Sequence, residues 1–387
     1  MGLDKNNKLK ILFIIDSLEV GGAEQSLVNI AINFKNITPV FLHIYEGSIL
    51  GDKLLSKGIE VISLNISAGY HFKKALKLLI PLVKQINPDI IHTTLFKSDI
   101  IGRKLKRHFN VPLVNSLVNN SYIKERYSNL NYSGKLKLYL VQIYDRLTCK
   151  NVDLFISNSK AIQYTNSSAL KIPINKIQVI HRGRDINDFN RTSSNSILEL
   201  KNELGIQNQK ILLNVSRLLA RKGQLDLLNA FKTVSKTYPD MVLLIAGEGQ
   251  YRNVLQEFIS KNNLEQKIIL LGNRGDIPEL LELSDLFVFP SWYEGLPGAL
   301  IEAMMAETPI LASNIPENLE CLSDDEAVIF KKEVVEDLEK KIIWALQNPD
   351  EMMEMAQKAR KSAIHKFEIS KISEQYEKVY HKLILII

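Results

Sequence analysis

The chain has 387 residues, 45% hydrophobic and 24% charged; at roughly 100–200 residues per domain this predicts two domains or one unusually large one, and the composition excludes a disordered, collagenous or coiled-coil chain. The net charge of +6 is uneven, with 26 Lys and Arg against 14 Asp and Glu in residues 1–190 and 23 against 29 in residues 191–387. No apolar run approaches the roughly 18–20 residues that span a bilayer, no signal-peptide core follows MGLDKNNKLK, and Cys149 and Cys321 lack metal-ligand spacing, so a cytoplasmic chain without disulfides or a Cys-based zinc site is expected.

In chain order, KILFIID (10–16), PVFLHIY (39–45), IEVISLN (59–65), DIIHTT (89–94), PLVNSLV (112–118), VDLFISNS (152–159) and IQVIHRG (177–183) are short apolar runs. Such runs suit strands buried on both faces. Helical patterns such as AEQSLVNIAINFK and HFKKALKLLIPLVKQI lie between them, the latter interrupted by Pro81. The first half therefore reads as βα units around a parallel sheet. A polar stretch, DINDFNRTSSNSILELKNELG, with a Ser/Asn cluster at 193–196, precedes a restart of the pattern. KILLNVSRL, MVLLIAG, KIILLG, DLFVFP and TPILAS read as five further strands, and everything from about 333 looks helical before the terminal LILII. Two doubly wound domains in series follow, and such sheets bind ligands at the carboxyl ends of their strands.

Four loops after strands carry candidate chemistry. In SLEVGGAEQS, Gly21 and Gly22 let the backbone approach a ligand, and a helix starting near Ala23 presents its positive end. G-x-G-x-x-G is absent, so this is not the dinucleotide fingerprint. In NVSRLLARKGQ, Arg217 and Lys222 follow a strand and could reach both phosphates of a diphosphate without a metal. In DLFVFPSWYEGLPGALIEAMMAETPILAS, Gly295, Pro297 and Gly298 mark a loop turning into a helix near Gly298, with Glu294 ahead of its first turn and Glu302 one turn inside. Both carboxylates can accept paired hydroxyls of a sugar or ribose, while the amides of Leu296, Gly298 and Ala299 could receive a phosphate. Gly247 and Gly249 in AGEGQYR, with Asn273 and Arg274 in LLGNRGDIPELL, would line the same rim and hold a nucleobase by main-chain groups. Taken singly, each of these is also what an ordinary turn, cap or solvated basic loop looks like.

Together the order GGAE, S-R-L with K-G following, G-E-G, and F-P-S-x-x-E-G-L-P-x-x-x-x-E-A-M, spanning residues 10–320, resembles the retaining glycosyltransferases of family four, with the GT-B fold. The resemblance implies two Rossmann-like doubly wound α/β domains facing a central cleft. Residues 1–188, rejoined by a last helix at about 370–387, would bind the acceptor, and residues 189–369 the nucleotide-sugar donor, with a hinge near HRGRDINDF. It implies that Gly22 lies against the donor phosphates, that Arg217 and Lys222 neutralise the leaving diphosphate, that Glu294 contacts sugar hydroxyls and that Glu302 holds the ribose diol. Arg217, Lys222 and Glu294 would be catalytic, no metal would be needed, and the co-substrate would be a nucleotide-sugar, a UDP-sugar by expectation.

This sequence departs from the family after PLVNSLV, where many relatives carry a His and this chain has Val118 and Asn119. Asn119, Tyr122 and Arg126 are the local substitutes, and His92, ending a strand, is a further acceptor or sugar-side candidate. The basic first half, with HFKKALKLLIPLVKQI, RKLKRH and KERYSNLNYSGKLKLYLVQIYDRLTCK, suits peripheral contact with the inner face of a membrane carrying lipid-linked sugars. The alternative is that these helices only cover the sheet; nucleic acid has no supporting motif beyond basicity. The expected activity is transfer of a hexose to a glycan or lipid-linked acceptor in surface polysaccharide biosynthesis. A sugar-nucleotide epimerase or phosphorylase on the same scaffold, and a non-catalytic sugar-nucleotide-binding subunit, are the rivals.

Overall fold

The run LKILFII forms strand β1 (Leu9–Ile15), buried over its last five residues. Because successive side chains point to opposite faces, Ile11, Phe13 and Ile15 enter one core and Leu12 and Ile14 the other. The computed structural model describes residues 8–67, 69–128, 130–190 and 194–386; MGLDKNN, Ser193 of the Ser/Asn cluster and the last residue of the expected 370–387 helix lie outside it.

Around β1, strands β2 (Ile37–Tyr45), β3 (Glu60–Ile66), β4 (Ile90–Thr94), β5 (Leu113–Leu117), β6 (Leu154–Ser157) and β7 (Ile177–Val179) form a parallel sheet of order β3-β2-β1-β4-β5-β6-β7. One face is covered by the helix Gly22–Ile32 and by the last helix, Ile369–Ile386. The other is covered by the helices Phe72–Ile86, Phe96–Leu105 and Lys160–Leu170. Pro81 does not interrupt its helix; it is exposed, where the missing amide costs one intrahelical bond and no buried partner.

A second parallel sheet, of order β10-β9-β8-β11-β12-β13, is built from β8 (Lys210–Val215), β9 (Met241–Ala246), β10 (Ile268–Gly272), β11 (Leu286–Phe289), β12 (Ile310–Ser313) and β13 (Val328–Phe330). The sequence reading counts five strands here and misses β13. Three residues at a sheet edge, between SDDE and KKE, give no period to read. The helices Gln224–Thr237, Arg252–Lys261 and Val335–Gln347 cover one face, and Ile277–Leu283, Gly298–Met305 and Pro349–Phe367 the other.

The chain divides into two units, one ending at Gly183 and resuming at Ile369, the other spanning Arg184–Glu368. The sequence reading sets the divisions at 188/189 and 369/370. Residues 184–189 fall in the second unit because Arg184 N donates to Phe367 O at 2.9 Å, Ile186 N donates to Glu368 Oε2 at 3.2 Å, and Phe189 is buried in that unit's core. Residues 383–386 extend the last helix, which buries Ile369, Ile372, Tyr376, Tyr380 and Leu383 in the first unit at helical spacing. Glu377 fixes it there, accepting from the amides of Lys35 and Asn36 at 2.5 and 2.8 Å. Among the described residues, no helix is long and apolar enough to cross a membrane.

Candidate active site

In each sheet the strand order reverses once, between β1 and β4 and between β8 and β11. Connections leaving such neighbouring strands part to opposite faces and open a crevice at the strands' carboxyl ends. In the second unit, the two connections at that point are those carrying Arg217 and Lys222 and carrying Glu294.

They are locked to each other. Trp292 N donates to Arg221 O at 2.9 Å, and Arg221 Nη1 to Tyr293 O at 2.8 Å. The β8 connection ends in a single 3-10 turn, Ala220–Lys222, closed by Gly223 at φ +69°. Only glycine serves there, since a Cβ would meet the Pro290 carbonyl at the end of β11. Gln224 then ties the turn back, its Nε2 donating to Ser216 Oγ at 2.9 Å and Arg217 O at 3.0 Å.

This geometry brings Lys222 Nζ into a direct ion pair with Glu294 Oε1, with 9% and 7% of the two residues exposed. Arg221 Nη1 lies 3.7 Å from the other carboxylate oxygen. Burial alone would raise the Glu294 carboxyl, but Lys222 and then Arg221 outweigh it, holding its pKa below the usual value. For Lys222, burial prevails, and Arg221 and Arg217 add to it against Glu294, so the ammonium sits below the usual lysine pKa. Arg217 itself is exposed and enters no hydrogen bond or ion pair of its side chain among the described residues. Lys222 and Arg221 on one carboxylate, with Arg217 acting on Lys222, leave positive charge in excess, which an anion would relieve.

Glu294 is followed by Gly295, the buried Leu296 and Pro297, and then the helix Gly298–Met305. Pro297 is extended and supplies no side-chain cap, so the amides of Gly298 and Ala299 begin the helix without one. Glu302, one turn in, accepts from Arg184 Nε at 2.6 Å. Glu294 and Glu302 thus each carry a cationic partner, which the sequence reading does not foresee. Behind this loop, Gly247 at φ +138° donates from N to Gly272 O at 2.7 Å and lies where a Cβ would meet the Ser216 carbonyl, closing β9 onto the β8 connection. Asn273 is exposed. Arg274 is committed elsewhere: it bonds Asp276 at 2.8 and 2.5 Å and Glu203 at 2.7 Å, pinning the helix Ser194–Glu203 to the end of β10. The expectation for it on a nucleobase rim concerns main-chain groups, which these side-chain bonds leave as they are.

In the first unit, Gly22 is exposed and opens the helix Gly22–Ile32, whose preceding residue, Gly21, offers no side-chain cap. The Arg182 guanidinium lies 3.2 Å from where a Gly22 Cβ would stand. His92 is corrected as a substrate-side residue. It is wholly buried, with Nδ1 2.6 Å from the Tyr380 hydroxyl and Nε2 2.8 Å from Ser116 Oγ, so it fastens the last helix to the sheet. Tyr122 donates to Asp145 Oδ2 at 2.7 Å, joining the buried Arg103–Asp145 pair. Asn119 and Arg126 are exposed, Arg126 Nη1 donating to Ser121 O at 3.2 Å.

The residues that sequence reasoning misses are Arg221, Arg184 and Arg182. Arg221 adjoins Lys222 in A-R-K-G and is legible as a second cation of the same turn. Arg184 and Arg182 sit in HRGRD, and only the fold brings the first to Glu302 and the second beside Gly22.

Two family models match the chain: one described as Glycosyltransferase Family 4 over residues 20–188, and one described as Glycosyl transferases group 1 over residues 196–362. The chain is 31% identical over 284 residues to the UDP-Gal:alpha-D-GlcNAc-diphosphoundecaprenol alpha-1,3-galactosyltransferase of Escherichia coli, covering 72% of this chain and 70% of that protein. It is 27% identical over 325 residues to the capsular polysaccharide biosynthesis glycosyltransferase CapH of Staphylococcus aureus, covering 81% and 83%. Among solved structures, Anabaena HepE in complex with UDP-glucose superposes with a TM-score of 0.84 at 23% identity, over 97% of this chain and all of that one.

Proposed function

Because the chain belongs to the family 4, group 1 glycosyltransferases, we propose that it moves a sugar from a UDP-sugar to a lipid-linked glycan, with retention of configuration and without a metal ion. Its two parallel-sheet units have the GT-B fold. The observation that carries the reading is the Lys222–Glu294 pair flanked by Arg221 and Arg217 at the reversal point of the second sheet.

In this reading the second unit binds the donor and the first the acceptor. A departing nucleoside diphosphate gains negative charge as the sugar–oxygen bond breaks. Preorganised cations lower that barrier, one such donor being worth about 2.7–4 kcal/mol. Arg217 is exposed and uncommitted, so it can close on a phosphate without abandoning a partner. The Lys222 ammonium has three donors and gives one to Glu294, leaving two for phosphate oxygens. Glu294, held ionised by the same lysine, accepts from sugar hydroxyls, and Glu302 offers its Oε2 to the ribose while Arg184 occupies Oε1. The amides of Gly298 and Ala299, at the positive end of their helix, face the same anion. The cluster supplies by side chains the charge neutralisation that a divalent ion would otherwise provide.

A lipid-diphosphate acceptor and a place in surface polysaccharide synthesis are supported by what the Escherichia coli and Staphylococcus aureus relatives do. The basic excess of residues 1–190 supports work at the inner face of a membrane. The test is nucleotide release from a panel of UDP-sugars with undecaprenyl-diphosphate-linked acceptors, in chelator and with the product anomer read by NMR. Release in chelator with retained configuration is expected; activity abolished by the chelator, or an inverted product, overturns the reading.

A further inference from the structure

The helix Tyr132–Thr148 in the first unit is unusual in burying only Asp145. Its outer face shows Tyr132, Leu136, Tyr139, Leu140, Ile143 and Leu147, at 87, 53, 54, 57, 37 and 61% exposure, repeating at the three- and four-residue spacing of one helical stripe. A soluble surface rarely leaves such a contiguous apolar face open without a use for it. Where this helix meets the first residues of the helices Phe72–Ile86 and Phe96–Leu105 lies an apolar groove of about 440 Å³, lined by Tyr70, Phe72, Phe96, Leu136, Leu140 and Tyr144. That volume lies in the range of small-molecule sites, roughly 300–1,000 Å³.

The charged residue lining it is a cation, and the nearby acids are taken up by their own neighbours: Asp16, whose field reaches Lys97, accepts from Ser98 N and Oγ, and the buried Asp99 accepts from Thr93 Oγ1. Lys137 lines the groove, and Lys104 Nζ stands 5.1 Å from the Phe72 ring centroid. Lys97 Nζ stands 4.3 Å from the Tyr45 ring and 5.3 Å from that of Tyr70. The helix Phe72–Ile86 contains no acidic residue, and the one acid in Tyr132–Thr148, Asp145, is turned inward onto Arg103. A protein partner would be expected to meet charges of both signs on so large a face, whereas a hydrocarbon chain with an anionic head meets only apolar surface and ammonium groups.

We propose that this groove holds the head-proximal hydrocarbon of a prenyl-diphosphate-type acceptor, with Lys97, Lys104 and Lys137 toward its phosphates and the exposed stripe seated in the lipid around it. The proposal rests on the lipid-linked acceptor reading and adds the residues that select for the lipid. It gives the groove a single occupant, and it makes chain length, and not only the glycan, a determinant of acceptor binding.

The test uses the full chain and a benzophenone-bearing farnesyl diphosphate, with crosslinks mapped by peptide mass. Crosslinks are expected within residues 132–148 and 70–72, competed by farnesyl diphosphate at least tenfold better than by farnesol, and not by inorganic diphosphate. The double variant Leu136→Asp, Leu140→Asp, at two positions more than half exposed, should lose labelling tenfold or more. Lys137→Glu should shrink the preference for farnesyl diphosphate over farnesol. Crosslinks elsewhere in the chain, labelling untouched by the double variant, or binding only to phosphatidylglycerol vesicles with no labelling by the probe, overturns the proposal. UDP titration of the same samples separates the two readings. Failure of the groove shows as lost labelling with UDP binding intact, and failure of the donor site as absent UDP binding with labelling intact.

Discussion

Arg184 donates from Nε to Oε1 of Glu302 at 2.6 Å, and its guanidinium lies against Gly298, the first residue of the helix that carries Glu302. The pair fixes the direction of a carboxylate one turn inside the helix through one of its oxygens; in the proposed function the other takes a ribose hydroxyl. Glu302→Gln keeps the shape and removes the charge, so UDP affinity should fall about ten- to a hundredfold, the equivalent of roughly 1.5–3 kcal/mol for hydrogen bonds to a charged group. Arg184→Ala should weaken UDP less than Glu302→Gln does and cost about 1 kcal/mol of stability. Calorimetry and urea denaturation check both.

Lys222 and Glu294 are buried together, so removing one strands the other. Lys222→Met should cost about 3–5 kcal/mol, because the Glu294 carboxylate remains buried without its closest cation. The double variant Lys222→Met, Glu294→Gln should recover most of that stability and none of the activity. A double-mutant cycle by urea denaturation, with turnover measured in parallel, separates the two effects.

The Lys222 ammonium has a pKa lowered by burial and by its cationic neighbours, and a bound diphosphate would push it back up. Between the free and bound values the complex holds a proton that the free enzyme lacks. UDP binding on the alkaline side should therefore take up protons, and Lys222→Met should abolish the uptake. Calorimetry in buffers of different ionisation enthalpy reads this directly.

His92 has a pKa lowered by burial to about 3. Its folded value lies below its unfolded one, so its contribution to stability is full above about 6.5 and is lost as pH falls from there toward 3. His92→Leu should flatten that part of the stability profile and cost about 1–3 kcal/mol at neutral pH, since the Tyr380 and Ser116 hydroxyls lose their partner. UDP affinity should not change, as expected of a side chain that holds a helix and touches no substrate.

Gly223 is the pivot that brings the β8 connection against β11. Gly223→Ala adds about 1–2 kcal/mol for the left-handed backbone and a collision with the Pro290 carbonyl. Turnover should fall at least tenfold at temperatures where circular dichroism still shows the folded state, because the Lys222 turn is displaced.

Much of this architecture is legible in the sequence. Runs such as KILFIID and KILLNV announce strands buried on both faces, and the spacing from Glu294 to Glu302 across Gly-Leu-Pro-Gly announces a loop entering a helix. What escapes is whatever depends on residues distant in the chain. The Lys222–Glu294 pair joins two loops whose distance apart is set by the sheet order, and no local pattern encodes it. Arg184 meets Glu302 only because the fold folds the 184–189 segment onto the second unit. His92 reads as a strand-end functional group until Tyr380, far along the chain, is seen to cover it. The pairing of the Arg274 side chain with Asp276 and with the distant Glu203 is likewise invisible in LLGNRGDIPELL.

The central claim is that the cations around Glu294 receive the donor's diphosphate. The most direct measurement is the affinity of UDP relative to uridine in the unaltered enzyme and in Arg217→Ala, whose exposed side chain can be removed without disturbing the fold. The account predicts that UDP binds far more tightly than uridine and that this preference falls at least tenfold in Arg217→Ala, with uridine affinity unchanged. An undiminished preference for UDP in the variant would contradict it.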